Sequence, residues 1–349
     1  MMTMMVWMVM MVVVGASGEA DEKDHNGPQH KALCGLLKAA VTKWGNSGEG
    51  LSDPLRKALG KTLFGKWEGD IHVLKEKLPD DYKNVEKDTG TRSAWCGQPH
   101  HGGETNDQNL RRWSGHSAPH DMVCLCTVGE KGWPLNESES SSETETTLCG
   151  QNKQTLGAAD GKGWDDDGEK ELGENHVNAT WFGVTVSCLQ GETGGDLKKA
   201  LGTFLGKLEH KPGDKANPNR YQLGEGKPSN WSACDGTSTL GVCVMYYNST
   251  NPKKPQPWWV DLQKAIPEEE KFQEEKKKRE EEERRKQQDS QKHNEPRTDD
   301  FTSTPTTANQ TEKQHGGSNL TEKLRKFNIT SGTLISLPSS WLLSAAFLI

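Results

Sequence analysis

The sequence predicts a mainly α-helical fold: an elongated, disulfide-stapled bundle with an irregular loop-rich lobe, followed by a charged helical arm and a disordered tail. Apolar residues recur at helical spacing in several segments, and eight cysteines lie between residues 34 and 243. After Pro252 the composition changes to Glu interleaved with Lys and Arg. Only 31% of the 349 residues are hydrophobic, so we expect cross-links to offset part of the chain entropy that opposes folding.

Three helices are predicted in the N-terminal part of the chain. The first covers residues 30–44, where apolar side chains recur at helical spacing. Asp53 and Pro54 are an N-cap and first-turn signal for a second helix, and a short third helix is expected at 71–78, ended by Pro79. The stripe of the first helix comprises Leu33, Leu37, Ala40, Val41 and Trp44.

The second helix has an echo later in the chain. LRKALGKTLFGK at 55–66 resembles LKKALGTFLGK at 197–207. Each is followed by a motif with Trp and Cys, RSAWCG at 92–97 and SNWSACDG at 229–236. An old duplication and two helices that pack alike are both consistent with this pattern.

Two runs rich in β-branched and aromatic residues, TWFGVTVSCL at 180–189 and TLGVCVMYY at 239–247, are predicted to be strands. Residues 97–170, which precede both runs, differ in composition and are rich in Gly, Ser, Asp and Glu. The stretch NESESSSETETT within it predicts an exposed loop.

Residues 1–18 are interpreted as a secretory signal peptide. An uninterrupted apolar run at 4–14 is followed by small residues at 15–18. No Lys or Arg precedes the run, so the alternative is an uncleaved anchor helix, for which the run is short. A folded domain is then expected over 19–260.

A charged helical arm is predicted over 261–290 and a disordered linker over 291–318. The arm places many Glu and Lys or Arg pairs at i,i+4 spacing, which favours a solvated helix, and it lacks the apolar positions of a coiled coil. The linker is polar, with Thr and Pro. This layout predicts a folded head held away from a membrane.

Residues 319–349 are interpreted as a signal for a glycosylphosphatidylinositol (GPI) anchor that is removed on maturation. Such a signal needs small attachment residues, a polar spacer and a hydrophobic tail of about 10–20 residues. The stretch HGGSNLTEKLRKFNITSGTLISLPSSWLLSAAFLI supplies all three. Attachment is predicted at Ser318 or Gly317, with Ser331 as the alternative. The competing interpretation of the tail is a short membrane span.

All eight cysteines are predicted to form disulfides, because an even number in a secreted chain is typical of a disulfide framework. Their pairing stays open, since eight cysteines allow about 105 pairings. They all precede the proline-rich stretch NPKKPQPWW. The cysteines are Cys34, Cys96, Cys124, Cys126, Cys149, Cys188, Cys234 and Cys243.

N-glycosylation is predicted at four sequons of the folded domain. Asn178 and Asn248 are the strongest, and Asn136 is a third. Asn230 has Trp in its middle position and lies near a cysteine, which favours burial. Further sequons lie at Asn309, Asn319 and Asn328.

The strongest metal-like cluster is WSGHSAPHDMVCLC, with His116, His120, Asp121, Cys124 and Cys126. It has no C-x-x-C pair, and in an oxidising compartment its cysteines are expected in disulfides. We therefore predict no metal site and no cofactor.

No catalytic activity is predicted either. The sequence lacks the G-x-S-x-G, H-E-x-x-H and phosphate-loop motifs. A formal net charge of -7 argues against nucleic acid as a partner, and nothing marks a small-molecule substrate site.

An ordered set of segments resembles the b-type variant surface glycoproteins of African trypanosomes with a short C-terminal region. The segments are HNGPQHKALCGLLKAAV, LPDDYKNVEKDTGTRSAWCGQPH, RRWSGHSAPHDMVCLCTVGEKGWPLNES, LKKALGTFLGKLEHK, GKPSNWSACDG, VCVMYY and WWVDLQKAI. Together they extend from residue 24 to about residue 266. The resemblance implies a GPI-anchored glycoprotein on the outer leaflet of the plasma membrane, with a helical N-terminal domain that forms homodimers in a dense coat.

The function that the resemblance implies is physical. The coat shields invariant surface proteins from host antibodies, and a change of the expressed gene exchanges the exposed epitopes. The alternative on the same scaffold is a surface receptor for a host macromolecule such as transferrin or haptoglobin–haemoglobin. The sequence departs from the family's long paired helices, because its longest apolar stripe covers about four turns.

Overall fold

The computed structural model describes residues 23–83, 91–100, 112–136, 146–166, 173–191, 195–214, 217–230, 232–249 and 254–292. The chain divides into a unit that ends at Asp289 and a second unit, Ser290–Ile349. The predicted signal peptide, most of the predicted linker and the predicted anchor signal lie outside the described residues.

Helices dominate the described part of the chain, with a few short strands. The helices are α1 Gly27–Trp44, α2 Asp53–Phe64, α3 Ile71–Glu76, α4 Arg92–Cys96, α5 Ala118–Cys126, α6 Gly173–Thr180, α7 Val186–Cys188, α8 Leu197–Leu205 and α9 Trp258–Lys292. The strands are β1 Asp24–His25, β2 Thr147–Leu148, β3 Glu209–His210, β4 Arg220–Gly224 and β5 Cys243–Tyr247. We call the described residues before α9 the head. The predicted mainly α-helical, disulfide-stapled fold is confirmed.

Helix α1 is the central packing element of the head. Pro28 lies in its first turn, where the missing N–H costs nothing, and Gly45 follows its end with a φ of 57°. Leu33, Leu36 and Leu37 are fully buried. The helix contacts α2, α5, α7 and α8, so it receives neighbours on most of its circumference.

The two echo segments form α2 and α8, and both pack against α1. The prediction that they are helices is confirmed. Their common neighbour accounts for the shared spacing of their buried residues, because each helix turns one apolar stripe towards the same partner. Asp196 caps α8 by accepting a hydrogen bond from the Lys199 amide at 2.6 Å.

The prediction of a strand at 180–189 is wrong, because this segment is helical. Helix α6 continues as a π-helical turn, Trp181–Thr185, and then as α7. The buried residues Val177, Trp181, Val184 and Cys188 recur every three or four positions, which is the helical period. Packing of this stripe against α5 and α1 overrides the strand propensity of the β-branched residues.

The strand predicted within 239–247 is confirmed as β5. It is an edge of the three-stranded antiparallel sheet β3-β4-β5, with Arg220 opposite Tyr247 and Gly224 opposite Cys243. A second, two-stranded parallel sheet joins β1 to β2, so the first described residues are tied to the middle of the chain.

Candidate functional site: where helix α9 enters the head

Four disulfides involve all eight cysteines. Two of them hold α5: one joins it to α4 and the other joins it to the turn after β2. A third joins α1 to α7 across 154 residues of sequence. The pairs are Cys34–Cys188, Cys96–Cys124, Cys126–Cys149 and Cys234–Cys243. Disulfide bonding is confirmed, and the pairing is a finding of the structure.

The residues of the metal-like cluster have structural partners instead. Cys124 and Cys126 are in disulfides, and His120 lies fully buried between Tyr82 and the main chain. Its Nε2 donates to the Trp95 carbonyl at 3.1 Å, so its Nδ1 accepts the Tyr82 hydroxyl at 2.8 Å. Burial lowers the pKa of His120 to about 3, which keeps the ring neutral in this arrangement.

Another metal-like group, formed by His30, Cys34 and Cys188, has ligand atoms within 4.8 Å of one another. Both sulfurs belong to one disulfide, so they are not thiolate ligands. Burial lowers the pKa of His30. The cluster is therefore a cross-link beside a histidine.

Arg92 organises the centre of the head. Its guanidinium is fully buried and donates to four backbone carbonyls, at distances of 2.7–3.1 Å. It also lies 5.0 Å from the centre of the Trp164 ring. Burial lowers the pKa of Arg92 to about 10. The four carbonyls belong to Cys124, Thr127, Val128 and Trp164.

Asp121 connects α5 to the start of α9. Its carboxylate accepts the Gly115 amide at 2.8 Å on Oδ1, and on Oδ2 the Tyr246 hydroxyl at 2.9 Å and the Trp258 indole N–H at 2.6 Å. We call Gly115, Asp121, Tyr246 and Trp258 the clamp. Asp121, Tyr246 and Trp258 are fully buried. Burial raises the pKa of Asp121 to about 7, although the three donors oppose that change.

Gly115 allows the chain to approach α9 closely. Its φ is +85°, and a Cβ at this position would lie 2.8 Å from the Pro257 Cβ. Its carbonyl also accepts the Trp258 amide at 2.9 Å. The first residue of α9 is therefore held by a backbone bond to the loop before α5 and by a side-chain bond to α5 itself.

Further contacts follow along the next turns of α9. Lys61 pairs with Asp261 at 2.5 Å, and the buried Glu269 accepts the Ser52 amide at 2.8 Å. Leu262 and Ile266 are buried in the same core as α1 and α2. The predicted boundary between domain and arm at residue 260 thus falls inside a helix whose first turns belong to the core.

The later turns of α9 are exposed. Residues 277–289 present only exposed side chains, with i,i+4 pairs such as Glu281 and Arg285 at 2.8 Å. This matches the solvated helix predicted for the charged arm. Within the part of the chain that the structure describes, no helix has both the length and the apolar character needed to cross a bilayer.

The predicted glycosylation sites differ in their exposure. Asn178 and Asn230 are exposed, whereas Asn136 and Asn248 are half-buried. The burial expected for Asn230 is therefore not seen. Their occupancy stays a prediction. The predicted attachment residues Gly317, Ser318 and Ser331, and the sequons at Asn309, Asn319 and Asn328, lie outside the described residues.

Sequence reasoning missed the roles of Arg92, Tyr246 and Trp258. Each lies in a segment that the motifs single out, RSAWCG, VCVMYY and WWVDLQKAI. An arginine in the first turn of a short helix that carries a tryptophan and a cysteine gives no sign of its own burial. Only the three-dimensional structure shows that Arg92 donates hydrogen bonds to four carbonyls.

This arrangement defines a class: a helical domain cross-linked by four disulfides, of the kind that folds in an oxidising compartment, with a long helix rooted in its core. Comparison with known proteins gives the family. A model of the trypanosomal VSG domain (VSG_B) matches residues 39–288, more than half of the chain. The chain therefore belongs to the trypanosomal VSG domain family, whose members are structural surface coat glycoproteins and are not known as enzymes.

One curated relative supports the same assignment. The variant surface glycoprotein YnAT 1.3 of Trypanosoma congolense is 25% identical over 173 residues, which are 47% of this chain and 36% of the relative. The match thus spans little more than a third of that relative's length.

Proposed function

We propose that this chain is a GPI-anchored coat glycoprotein that shields the cell surface from host antibodies and takes part in antigenic variation. The observation that carries the proposal is the way α9 leaves the head. Its first turns are fixed in the core by the clamp, and its later turns are charged and exposed. Of the 35 residues of this helix, those after Glu269 extend for about 35 Å, and this charged part is suited to holding a folded domain off a membrane.

The composition of the head supports a physical role. Two adjacent buried titratable residues are engaged in structural bonds: Asp121 with three donors, His120 with Tyr82 and a carbonyl. Disulfides hold the scaffold, so surface loops can change in sequence at little cost in stability. A coat whose exposed epitopes change needs both features, a constant scaffold and variable surface loops.

We further propose that the protein forms homodimers in the coat. The support is the family to which the chain belongs. Size-exclusion chromatography with light scattering on the secreted head would give the mass directly, and a monomer at all concentrations would contradict this part.

The experiment that tests the anchor uses intact cells expressing the full chain. Phosphatidylinositol-specific phospholipase C is added, released protein is quantified, and its C-terminal peptide is sequenced by mass spectrometry. We expect abundant release, with a peptide that ends at Gly317 or Ser318 and carries a glycolipid remnant.

Two outcomes would overturn the proposal. Retention on the cell with Ile349 intact would identify the tail as a membrane span. A scarce protein that binds one host macromolecule tightly would indicate a receptor on the same scaffold.

A further inference from the structure

Phe182 is a large apolar side chain that remains 47% exposed. It lies on the π-helical turn between α6 and α7, whose other large apolar side chains, Trp181 and Val184, are buried. Trp67 is also exposed, but the Lys57 ammonium lies 5.6 Å from its ring centre. For Phe182 the structure gives no such partner among the described residues.

Asn178 stands four positions before Phe182 and is exposed on the same helical run. Residues four apart on a helix are neighbours, with their Cβ atoms about 5–6 Å apart. The π-helical turn begins at Trp181, after Asn178, and its wider turn reduces the angular offset between the two positions.

The direction of the side chains strengthens this neighbourhood. Helical side chains lean towards the helix N-terminus, so a residue covers surface over the turn before its own Cα. The ring of Phe182 therefore leans towards the turn that carries Asn178. Val177, Trp181 and Val184 are buried, so the core lies on a different side of this helical run from the two exposed positions.

Asn178 is the acceptor of the sequon N-A-T, and the third residue of that sequon has a second role. Thr180 is fully buried, and its hydroxyl lies 3.0 Å from the Thr127 hydroxyl and donates to the Cys126 carbonyl at 3.3 Å. Recognition of Thr180 must therefore precede folding, whereas Asn178 stays accessible afterwards. Asn178 is exposed and the middle residue of its sequon is a small alanine, so the site is open to glycosylation and leaves room for the glycan in the folded protein.

The other described sequons lack this setting. The amide nitrogen of the half-buried Asn136 donates to the Lys131 carbonyl. Asn248 is half-buried, and its backbone N–H donates to Asn219 at 3.0 Å. Asn230 is exposed and serves below as the comparison site.

We infer that Asn178 carries an N-linked glycan whose first N-acetylglucosamine lies over the Phe182 ring. In the transfer, the amide nitrogen of Asn178 forms a bond to C1 of a sugar that is linked to a lipid pyrophosphate. The C1–O bond breaks, the lipid pyrophosphate leaves, and the amide loses one proton. The apolar face of the sugar then covers an aromatic surface that the fold leaves in water.

This inference rests on the secretory route of the proposed function, and the experiment separates the two. The full chain is expressed in a eukaryotic secretory host, and secretion into the medium and occupancy at Asn230 are scored independently of Asn178. Glycopeptide mapping uses enzymatic release of N-glycans in heavy-oxygen water, which labels each formerly occupied asparagine. We expect Asn178 to be labelled.

The contact with Phe182 is tested by a double-mutant cycle on folded, secreted protein. The four forms are the wild type, Asn178→Gln, Phe182→Ser and the double variant. We expect Asn178→Gln to lower Tm by on the order of 2 °C when Phe182 is present and to have no effect on Tm when it is replaced. Thr180→Ser keeps the sequon and the buried hydroxyl, and Val73→Ser removes another exposed apolar side chain, so these are the matched controls.

A spectroscopic readout distinguishes stacking from a general effect of the glycan. The acetyl methyl protons of the first sugar should shift upfield in the wild type, because they lie over an aromatic ring, and this shift should disappear in Phe182→Ser. Phe182 is exposed, so its replacement leaves the core intact.

Three results would overturn the inference. Secreted protein with an unlabelled Asn178 would exclude the glycan, and additive Tm changes without the upfield shift would exclude the contact. Concentration-dependent self-association that Phe182→Ser abolishes in both glycosylated and glycan-free protein would show that a second copy covers the ring. Failure of secretion with all variants would instead count against the proposed route.

Discussion

The two halves of α9 share one continuous helix but are held in different ways. The first half, from Trp258 to Glu269, is stabilised by buried contacts with α5, β5 and α2. The second half, residues 277–289, is stabilised by helix propensity and exposed i,i+4 ion pairs. The difference teaches that the first half packs into the core of the head and reports on its folding, whereas the second half acts as a spacer whose residues are interchangeable.

The largest effect on stability is expected from replacing Arg92, the buried cation at the centre of the head. Arg92→Met keeps the volume but removes the Arg92 hydrogen bond from four buried carbonyls, of which that of Val128 still accepts the Trp164 amide. We expect the free energy of unfolding to fall by about 4 kcal/mol or more, measured by urea denaturation with disulfides intact. Arg92→Lys is the control, because an ammonium retains a charge and up to three donors. A loss below about 1 kcal/mol for Arg92→Met would contradict this role.

The clamp is tested by Asp121→Asn, which is nearly isosteric. Gly115, Tyr246 and Trp258 all present donors to this side chain, so the new NH₂ group must face at least one of them. We expect a loss of about 3 kcal/mol in unfolding free energy and a shifted indole N–H resonance of Trp258. Asp261→Asn, at a half-buried ion pair on the next turn, should change stability less, because its partner Lys61 also donates to the Gln256 carbonyl. Equal effects of the two variants would show that the clamp contributes no more to stability than the ion pair beside it.

The pH dependence of stability follows from the two neighbours His120 and Asp121. Burial lowers the pKa of His120 to about 3, so the unfolded chain takes up its proton first and stability is lost as pH falls below about 6.5. His116, whose pKa is also lowered by burial, acts with the same sign.

Asp121 acts with the opposite sign. Burial raises its folded-state pKa to about 7, so its contribution is present below about pH 4 and is lost as pH rises towards 7. We expect His120→Gln to reduce the loss of stability between pH 6.5 and 4.5 by about 2 kcal/mol, measured by denaturation at each pH. An unchanged slope in this variant would show that His120 is protonated in the folded state.

The smallest effect is expected at the far end of α9. Glu281→Ala and Arg285→Ala break an ion pair whose side chains are 52% and 75% exposed. We expect the urea midpoint of the head to stay within experimental error, because exposed pairs contribute little and lie beyond the core contacts. Glu269→Ala, on the same helix but buried, is the matched comparison and should lower the midpoint.

The helices were predictable where one apolar stripe dominates. Leu33, Leu37 and Ala40 on α1 recur at i, i+4 and i+7, which is the helical and not the strand period, and the stripe on α8 also has a helical period. The segment at 180–189 was not predictable in this way, because its β-branched residues carry a strand signal. Its helical period becomes clear only when Val177 is included, and that residue lies before the apolar run.

The candidate site was less predictable than the fold. The sequence groups His120 and Asp121 in one cluster, but their residue types suggest metal ligation. The groups that hydrogen-bond to them are close in space and distant in sequence. Tyr246 and Trp258 lie 125 and 137 residues from Asp121. A local sequence pattern does not predict hydrogen bonds between residues so far apart in the chain, nor does it predict which cysteines are joined.

The disulfides also determine what a protease can do to this molecule. The Cys34–Cys188 bond closes a covalent ring that encloses the Cys96–Cys124 and Cys126–Cys149 bonds. A single peptide bond cut anywhere between Cys126 and Cys149 would leave both new ends attached to the same molecule, twice over. A protease that cuts in this stretch would therefore release no fragment until the cross-links are reduced.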